Sequence, residues 1–285
     1  MRQIRNFFNM LNRKNVILIL GILITGCMLL IVIFAPHLEM YDPTKMSLED
    51  KFIPPCREHW FGTDHMGRDI LSRVIEGSRV SLTTAVAVVL VSAALGTGIG
   101  LVSGFFGGFM DMILMRLVDV LLAFPTIVFA LAISTLLGTG QGNLIIAICC
   151  VQWVRYARIA RGEAILLKNA EYIEAAKAIG CSNLQLLAKY FFPNVISKIL
   201  IMVSLDIGSI ILYCASLSFL GLGAQPPSPD WGVMISDGKN YMQYAPWMTL
   251  FPGLAIAVSA LGFNMMGDGI RDLLDPRMRE AVQSE

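Results

Sequence analysis

The feature that most constrains this chain is a set of long apolar runs, the first of which extends from Val16 to Ala35 without a charged residue. At 1.5 Å per residue, a helix of this length is about 30 Å long, which matches the hydrocarbon thickness of a bilayer. Basic residues precede the run, as in a secretory signal. However, the run is longer than a signal core and continues into Pro36, His37 and Leu38 without a small-x-small cleavage pattern. We therefore interpret it as a retained transmembrane helix.

Five further apolar runs follow, near residues 82–103, 112–137, 143–160, 194–220 and 247–266. The chain is 55% hydrophobic and only 15% charged, whereas soluble domains carry about a quarter charged residues. The sequence therefore predicts an all-α polytopic membrane protein with six transmembrane helices. We divide it into residues 1–80, which hold the N-terminus, the first span and an outer loop, and residues 81–285, which hold a five-helix core and a C-terminal tail.

The distribution of basic residues predicts the orientation in the membrane, because cytoplasmic loops carry an excess of Lys and Arg. On one side of the predicted spans, residues 1–15, 155–198 and the tail from 267 carry 14 basic residues. On the other side, residues 36–81 and 221–246 carry seven. We expect both termini to be cytoplasmic. The net charge of +1 gives no reason to expect a nucleic-acid partner, and membrane lipid is the expected surrounding.

A less apolar interval separates the fourth and fifth runs, and we call its residues 163–193 the EAA segment, after the letters Glu174-Ala175-Ala176. Its alanine-rich spacing predicts a first helix over residues 170–179, since alanine favours helix. Gly180 is placed to end that helix, because glycine readily takes the left-handed conformation of a C-cap.

A second short helix is predicted after Gly180, with Ser182 or Asn183 as its N-cap and Pro193 at its close. Apolar residues recur in it at helical spacing, namely Leu184, Leu187, Ala188 and Phe191. Such a helix pair can dock into the groove of a partner protein, or it can lie on the bilayer surface. The pattern leaves both alternatives open.

The letters of this segment resemble a known motif. Glu174-Ala175-Ala176, Gly180 and Tyr190-x-Phe192-Pro193 resemble the EAA motif of ABC importer permeases, E-A-A-x3-G-x9-I-x-L-P. The chain departs from it in having Tyr190 and Phe192 where Ile and Leu are usual. The resemblance implies a type I ABC importer permease fold, whose EAA loop forms a coupling helix in a cleft of a cytoplasmic ATPase. It implies a coupling role for Glu174, Ala175, Ala176, Gly180 and Pro193.

Three longer stretches extend the resemblance over nearly the whole chain: FGTDHMGRDILSR, SLSFLGLGAQPPSPDWG and FNMMGDGIRDLLDPR. They are similar to the peptide and nickel permease group. Within that group, the chain resembles the nickel-type "C" permease more than the dipeptide type. The residues that carry this likeness are GTDHMGRDI, Leu205-Asp206-Ile207-Gly208 and residues 231–242. The expected cargo is therefore nickel, free or chelated, with di- or oligopeptides as the alternative.

The resemblance also implies partners: a second homologous permease subunit, two cytoplasmic ABC ATPase subunits and an extracytoplasmic solute-binding protein, in a bacterial cytoplasmic (inner) membrane. No G-x-x-x-x-G-K-[ST] sequence occurs in the chain, so ATP and Mg are expected on the ATPases. We expect neither a cofactor nor an enzymatic activity of its own. A hypothesis from another class is a stand-alone secondary carrier or channel, which needs ionisable residues near the middle of the membrane.

Three ionisable residues in or near the apolar runs are candidates for a role in the membrane: Arg116, Asp119 and Asp206. The i,i+3 spacing of Arg116 and Asp119 predicts a mutual pair. Asp206 has no partner nearby in the sequence, and it either lines the path or hydrogen-bonds a neighbouring helix. The histidines, His37, His59 and His65, lack the spacing of paired ligands on a helix, so no metal site is predicted.

Overall fold

The computed structural model describes the backbone of residues 2–274 and the side chains of residues 16–272. Most of the predicted C-terminal tail follows residue 274 and lies outside the described residues. The side chains of the N-terminal basic residues also lie outside them. Within the described range the chain is helical, with one isolated bridge between Thr63 and Asp69. Its α-helices are α1 Arg2–Leu38, α2 Ile70–Phe106, α3 Gly108–Leu122, α4 Thr126–Leu137, α5 Gln141–Lys168, α6 Glu171–Ala178, α7 Asn183–Leu186, α8 Phe192–Phe219, α9 Trp231–Gly238 and α10 Trp247–Leu274.

Among the described residues, five helical stretches are long and apolar enough to cross a membrane. They are Val16–Leu38, Ile70–Phe106, Gln141–Lys168, Asn183–Phe219 and Trp247–Asp272. A sixth candidate is the pair of α3 and α4, if the two helices count as one span. The all-α membrane architecture is thus confirmed, and five of the six predicted spans are uninterrupted.

The third predicted span, residues 112–137, is not one helix. The axes of α3 and α4 differ in direction by 94° across the break between them. Pro125 causes the break, because proline disfavours the helical conformation in the residue before it and has no N–H to donate. The N–H of Ala123 still bonds to the carbonyls of Asp119 and Val120, so α3 is capped before the chain turns.

The second span begins earlier than hydropathy suggests. α2 starts at Ile70, whereas the apolar run begins only at residue 82. The predicted division between residues 80 and 81 therefore falls inside this helix. Asp69 caps the helix start, since its Oδ2 accepts the N–H of Ser72 at 2.8 Å. Hydropathy marks only the apolar part of a helix, so it missed these polar first turns.

The described chain forms two compact units, whose boundaries also differ from the predicted division. The first unit contains the residues up to Ala85, Thr139–Gln141 and the residues from Ser204 onward. The second contains Val86–Gly138 and Gly142–Val203. Residues from 204 onward thus join the N-terminal part and not the remaining helices, a consequence of contacts between residues far apart in the sequence.

In the first unit, α1 packs antiparallel against α10. A side chain added at Gly21 would overlap the backbone of Met266, and one added at Gly269 would overlap Leu18. Small residues at these positions let the two backbones approach closely, which is how membrane helices gain packing contacts in the absence of a hydrophobic driving force.

Two loop regions of the first unit, residues 39–69 and 221–246, pack together, and we call them the loop lobe. The ring centroid of Phe52 lies 5.1 Å from that of Tyr241 and 5.3 Å from that of Tyr244. The indole N–H of Trp247, at the start of α10, donates to the carbonyl of Thr63 at 3.0 Å. The two long intervals between spans therefore form one ordered structure.

A network of buried charges holds the loop lobe to the first turn of α2. Oδ2 of Asp64 lies 2.6 Å from Nε of Arg68 and 3.7 Å from Nε of Arg73, and the three residues are 5%, 3% and 1% exposed. Nη1 of Arg73 donates to the carbonyls of Pro43 at 3.0 Å and Pro227 at 3.3 Å. One guanidinium thus ties both loop regions to α2.

Candidate functional site

The first helix of the EAA segment forms and ends as predicted. α6 runs from Glu171 to Ala178, and Gly180 follows it with φ of +88°. The N–H of Gly180 donates to the carbonyl of Lys177 at 3.0 Å, and the N–H of Cys181 donates to that of Ala176 at 3.1 Å. This pair of bonds is a Schellman motif, which satisfies helix-end carbonyls and needs a left-handed residue at the position of Gly180.

The second helix starts as predicted but continues differently. Ser182 is its N-cap: Oγ of Ser182 accepts the N–H of Gln185, and the side chain of Gln185 accepts the N–H of Ser182 at 2.8 Å. This reciprocal capping box fixes the start of α7. After α7 the chain passes without a break into a π-helical stretch, Leu187–Phe191, and then into α8.

Pro193 does not close the helix pair, contrary to the sequence-based prediction, because it lies in the first turn of α8. The N–H of Phe192 bonds five residues back, to the carbonyl of Leu187. The amide side chain of Asn194 donates to the carbonyl of Tyr190 at 2.6 Å. A wider π turn spares a carbonyl from clashing with the proline ring, which lets the helix continue.

The helix pair of the EAA segment packs on the ends of α2 and α5 through a buried apolar core in the second unit. α6 contributes Ile173 and Ala176, which are 0% and 3% exposed. These residues share one core with Ala160 and Ala164 of α5, Phe105 of α2, and Leu186 and Phe191 of the segment itself. Ala176 is therefore a packing residue, unlike Glu174 and Ala175 of the same motif, which are exposed.

The opposite side of the EAA segment is exposed and carries apolar side chains at its tip. Ile179 is 79% exposed and Leu184 is 76% exposed, and Tyr172 is also exposed. Glu174 and Ala175 are exposed beside them. The predicted apolar stripe of the second helix is thus divided, since Leu184 faces outward while Phe191 is fully buried.

The predicted pair of Arg116 and Asp119 is wrong, because Asp119 has a different partner. Oδ1 of Asp119 lies 2.7 Å from Nη2 of Arg158 on α5. One turn further along α5, Nε and Nη2 of Arg161 contact the two carboxylate oxygens of Asp111 at 2.5 and 2.7 Å. Two acids of α3 are thus matched by two arginines of α5, a bidentate pairing in the case of Asp111.

Asp206 lies on α8 in the first unit and is only 4% exposed. The residue has an interaction partner. Burial with a partner favours the structural alternative for this residue, and a role in lining the path stays a prediction.

Two of the three histidines, His59 and His65, contact other side chains of the loop lobe and the start of α2. Nδ1 of His59 lies 2.9 Å from Oδ1 of Asp69, and the ring of His65 stacks on Tyr241 with centroids 5.4 Å apart. Among residues 16–272, no group of three His, Cys, Asp or Glu side chains is arranged to hold a metal ion.

The fold and the EAA segment define a polytopic helical membrane protein with a capped, apolar-tipped helix pair between two spans. Residues 96–280 match the family model described as "binding-protein-dependent transport system inner membrane component". Because this match covers more than half of the chain, the protein belongs to that family. It is a permease subunit of an ABC importer, in the peptide and nickel group, and its family is one of transport permeases and not of enzymes.

Three curated relatives match over most of their length. The dipeptide transport system permease protein DppC of Alkalihalophilus pseudofirmus is 42% identical over 94% of this chain and 88% of its own. The probable D,D-dipeptide transport system permease protein DdpC of Escherichia coli is 43% identical, over 88% and 84%. The glutathione transport system permease protein GsiD of Pectobacterium atrosepticum is 39% identical, over 96% and 91%.

Among solved structures, a chain of the MetNI methionine ABC transporter, crystallised in inward-facing conformations, aligns with a TM-score of 0.48 and 17% identity. The alignment covers 68% of this chain and 95% of that chain.

Proposed function

We propose that this chain forms half of the path by which an ABC importer carries di- or oligopeptides. The observation that carries the choice of cargo is the set of relatives, which are named for dipeptide, D,D-dipeptide and glutathione transport. These names favour peptides, whereas the sequence motifs alone predict nickel. The other half of the path is a second homologous permease, and a solute-binding protein delivers the peptide.

The exposed tip of the EAA segment is the docking site for the ATPase in this proposal. This tip, with Ile179 and Leu184, offers the apolar contact that a groove on a partner protein can bury. A helix lying on a bilayer would instead turn its apolar face to lipid. α6 turns Ile173 and Ala176 into the core of its own chain, which supports docking over the bilayer alternative.

The transport cycle follows from this placement. Two ATPases in the cytoplasm bind ATP and Mg, and their closure moves the EAA segments of both permeases, which switches the path from inward- to outward-facing. ATP hydrolysis resets it. The excess of basic residues in residues 1–15 and 155–198 predicts that the EAA segment and both termini lie on the cytoplasmic side of the membrane.

The cargo is tested by uptake in cells that lack their own peptide and nickel importers and carry this gene with its neighbouring transport genes. We expect saturable uptake of radiolabelled alanyl-alanine that excess nickel leaves unchanged and that Gly180→Pro abolishes. Saturable nickel uptake that ignores dipeptides would overturn the choice of cargo and leave the docking proposal standing.

The docking site is tested by copurification with the ATPase from the same cells. Replacing Ile179 and Leu184 together by Glu places two charges in the proposed apolar contact, and we expect the ATPase to be lost from the purified permease. Leu48→Glu is the matched control, because Leu48 is 69% exposed but lies in the loop lobe. Equal copurification of both variants would overturn the docking proposal.

A further inference from the structure

We propose that Phe105 and Phe191 form the joint through which a movement of the EAA segment reaches the end of α2. This inference rests on the proposed coupling to an ATPase and adds the positioning residues that pass the movement on. Phe191 belongs to the EAA segment, and Phe105 lies one residue before the end of α2.

The two rings meet edge to face in the core beneath the EAA segment. Their centroids are 5.0 Å apart with an interplanar angle of 84°, and the residues are 8% and 0% exposed. This geometry is a preferred one for aromatic pairs. Because close-packed interiors transmit displacement instead of absorbing it, a shift of Phe191 displaces Phe105 and with it the last turn of α2.

α2 in turn is locked to α5, so that the displacement is shared. Three glycines four residues apart on α2 face α5, and a side chain at any of them would overlap it: Gly96 at Trp153, Gly100 at Ala157 and Gly104 at Ala164. Where two helix backbones are in direct contact, no flexible side chain lies between them to absorb a movement. Any change at the end of α2 therefore moves α5 along with it.

The start of α3 belongs to the same block. Asp111, in the first turn of α3, forms the bidentate pair with Arg161 of α5 and accepts a hydrogen bond from Ser103 of α2 at 2.5 Å. Gly107 and Gly108, both with positive φ, make the tight corner between α2 and α3. The ends of three helices thus form one body with the EAA segment.

The backbone route from the EAA segment into α8 is weaker than this side-chain route into α2. Directly after α7 the backbone is π-helical over Leu187–Phe191, and Pro193 donates no backbone hydrogen bond. Such stretches are where helices bend. α8 can therefore bend where it leaves the EAA segment, while the contact of Phe191 with Phe105 holds α2 to it.

The test measures the number of ATP molecules hydrolysed per dipeptide transported, in proteoliposomes holding the complete importer and supplied with its binding protein and alanyl-alanine. For Phe105→Ala and Phe191→Ala we expect copurification of the ATPase and basal hydrolysis within twofold of the wild type. Transport falls at least tenfold, so the ratio rises about tenfold. The double variant gives the same ratio as either single variant, because both remove one contact.

The matched control is Phe109→Ala, since Phe109 lies at the corner between α2 and α3 but is 72% exposed. Its ratio should stay within twofold of the wild type. Phe191→Leu keeps an apolar side chain in the core and should recover part of the lost transport, which separates the joint from a general loss of folding.

A wild-type ratio in Phe191→Ala would overturn the joint. Loss of the ATPase from that variant would also overturn it, because Phe191 would then only shape the docking tip. If the wild-type permease itself does not copurify with an ATPase, the docking proposal fails, and that result is recognisable without any variant.

Discussion

The loop lobe and the EAA segment are both polar intervals between apolar spans, yet they are built in opposite ways. The loop lobe buries charges: its Asp64 and Arg68 form a network with Arg73 of α2, which also bonds to carbonyls of both loop regions. The EAA segment buries apolar side chains and exposes an apolar tip, and its turns are fixed by bonds between residues at most five positions apart.

This difference predicts which substitutions should destabilise each region. A buried ion network loses much of its stability when one partner is removed, since the remaining charge stays desolvated. In the EAA segment, removing one helix cap costs only the stabilisation free energy of that cap. Side chains at its exposed tip can be replaced without unfolding it. We expect substitutions in the loop lobe to act on folding and those at the EAA tip to act on coupling.

The largest effect is expected for Asp64→Ala, which leaves Arg68 and Arg73 buried without their shared carboxylate. Leaving a buried charge unpaired costs about 3–5 kcal/mol, and Asp237, whose Oδ2 lies 3.8 Å from Nη2 of Arg68, puts the expected loss at the lower end of that range. Thermal unfolding of the purified permease in detergent measures it. The control is Glu49→Ala, an exposed acid of the same lobe, for which the melting temperature should not change. Equal melting temperatures for the two variants would show that the network does not hold the loop lobe.

A smaller effect is expected for Gly180→Ala. The added methyl group meets open space, but φ of +88° strains any residue with a Cβ, at a cost of ~1–2 kcal/mol. Gly162→Ala is the matched control, because that position is also open but lies within α5, where alanine is favoured by about 1 kcal/mol. We expect opposite signs for the two variants in thermal unfolding, and uptake should be reduced only for Gly180→Ala.

Ser182→Ala removes the capping box of α7 at a cost of about 1 kcal/mol. Hydrogen exchange over residues 182–186 should become faster, while exchange in the loop lobe stays the same. Ser182→Asp keeps a side-chain acceptor at the N-cap and should restore protection. If Ser182→Asp behaves like Ser182→Ala, the cap does not stabilise the segment.

The smallest effect is a dependence of stability on pH at Glu39, just after α1, because solvent screens the charge of this partly exposed carboxyl. Burial and the adjacent Glu76 carboxyl raise the pKa of Glu39 from 4.5 to about 7. Between these values the folded state keeps a proton that the unfolded state releases, so stability falls as pH rises from about 4.5 to 7. Glu39→Gln should flatten the melting temperature between pH 5 and 8. The exposed Glu58 offers the control Glu58→Gln, which should keep the slope.

The sequence alone determined the features that depend on nearest neighbours along the chain. Hydropathy located the spans, and Gly180 and Ser182 marked a helix end and a helix start, since caps act within one turn. The same local reasoning failed at Pro193, where a π turn accommodates the proline, and at the third apolar run, where hydropathy does not register the corner at Pro125.

Only the tertiary structure decided which distant residues meet. It matched Asp119 with Arg158 and not with its neighbour on the helix, it joined both loop regions through Arg73, and it turned Phe191 inward while leaving Leu184 exposed. Charge and apolarity are properties of each residue, but a partner depends on how helices pack. A sequence therefore shows which side chains need a partner, and the fold selects the partner because only packing brings remote residues within a few ångströms of one another.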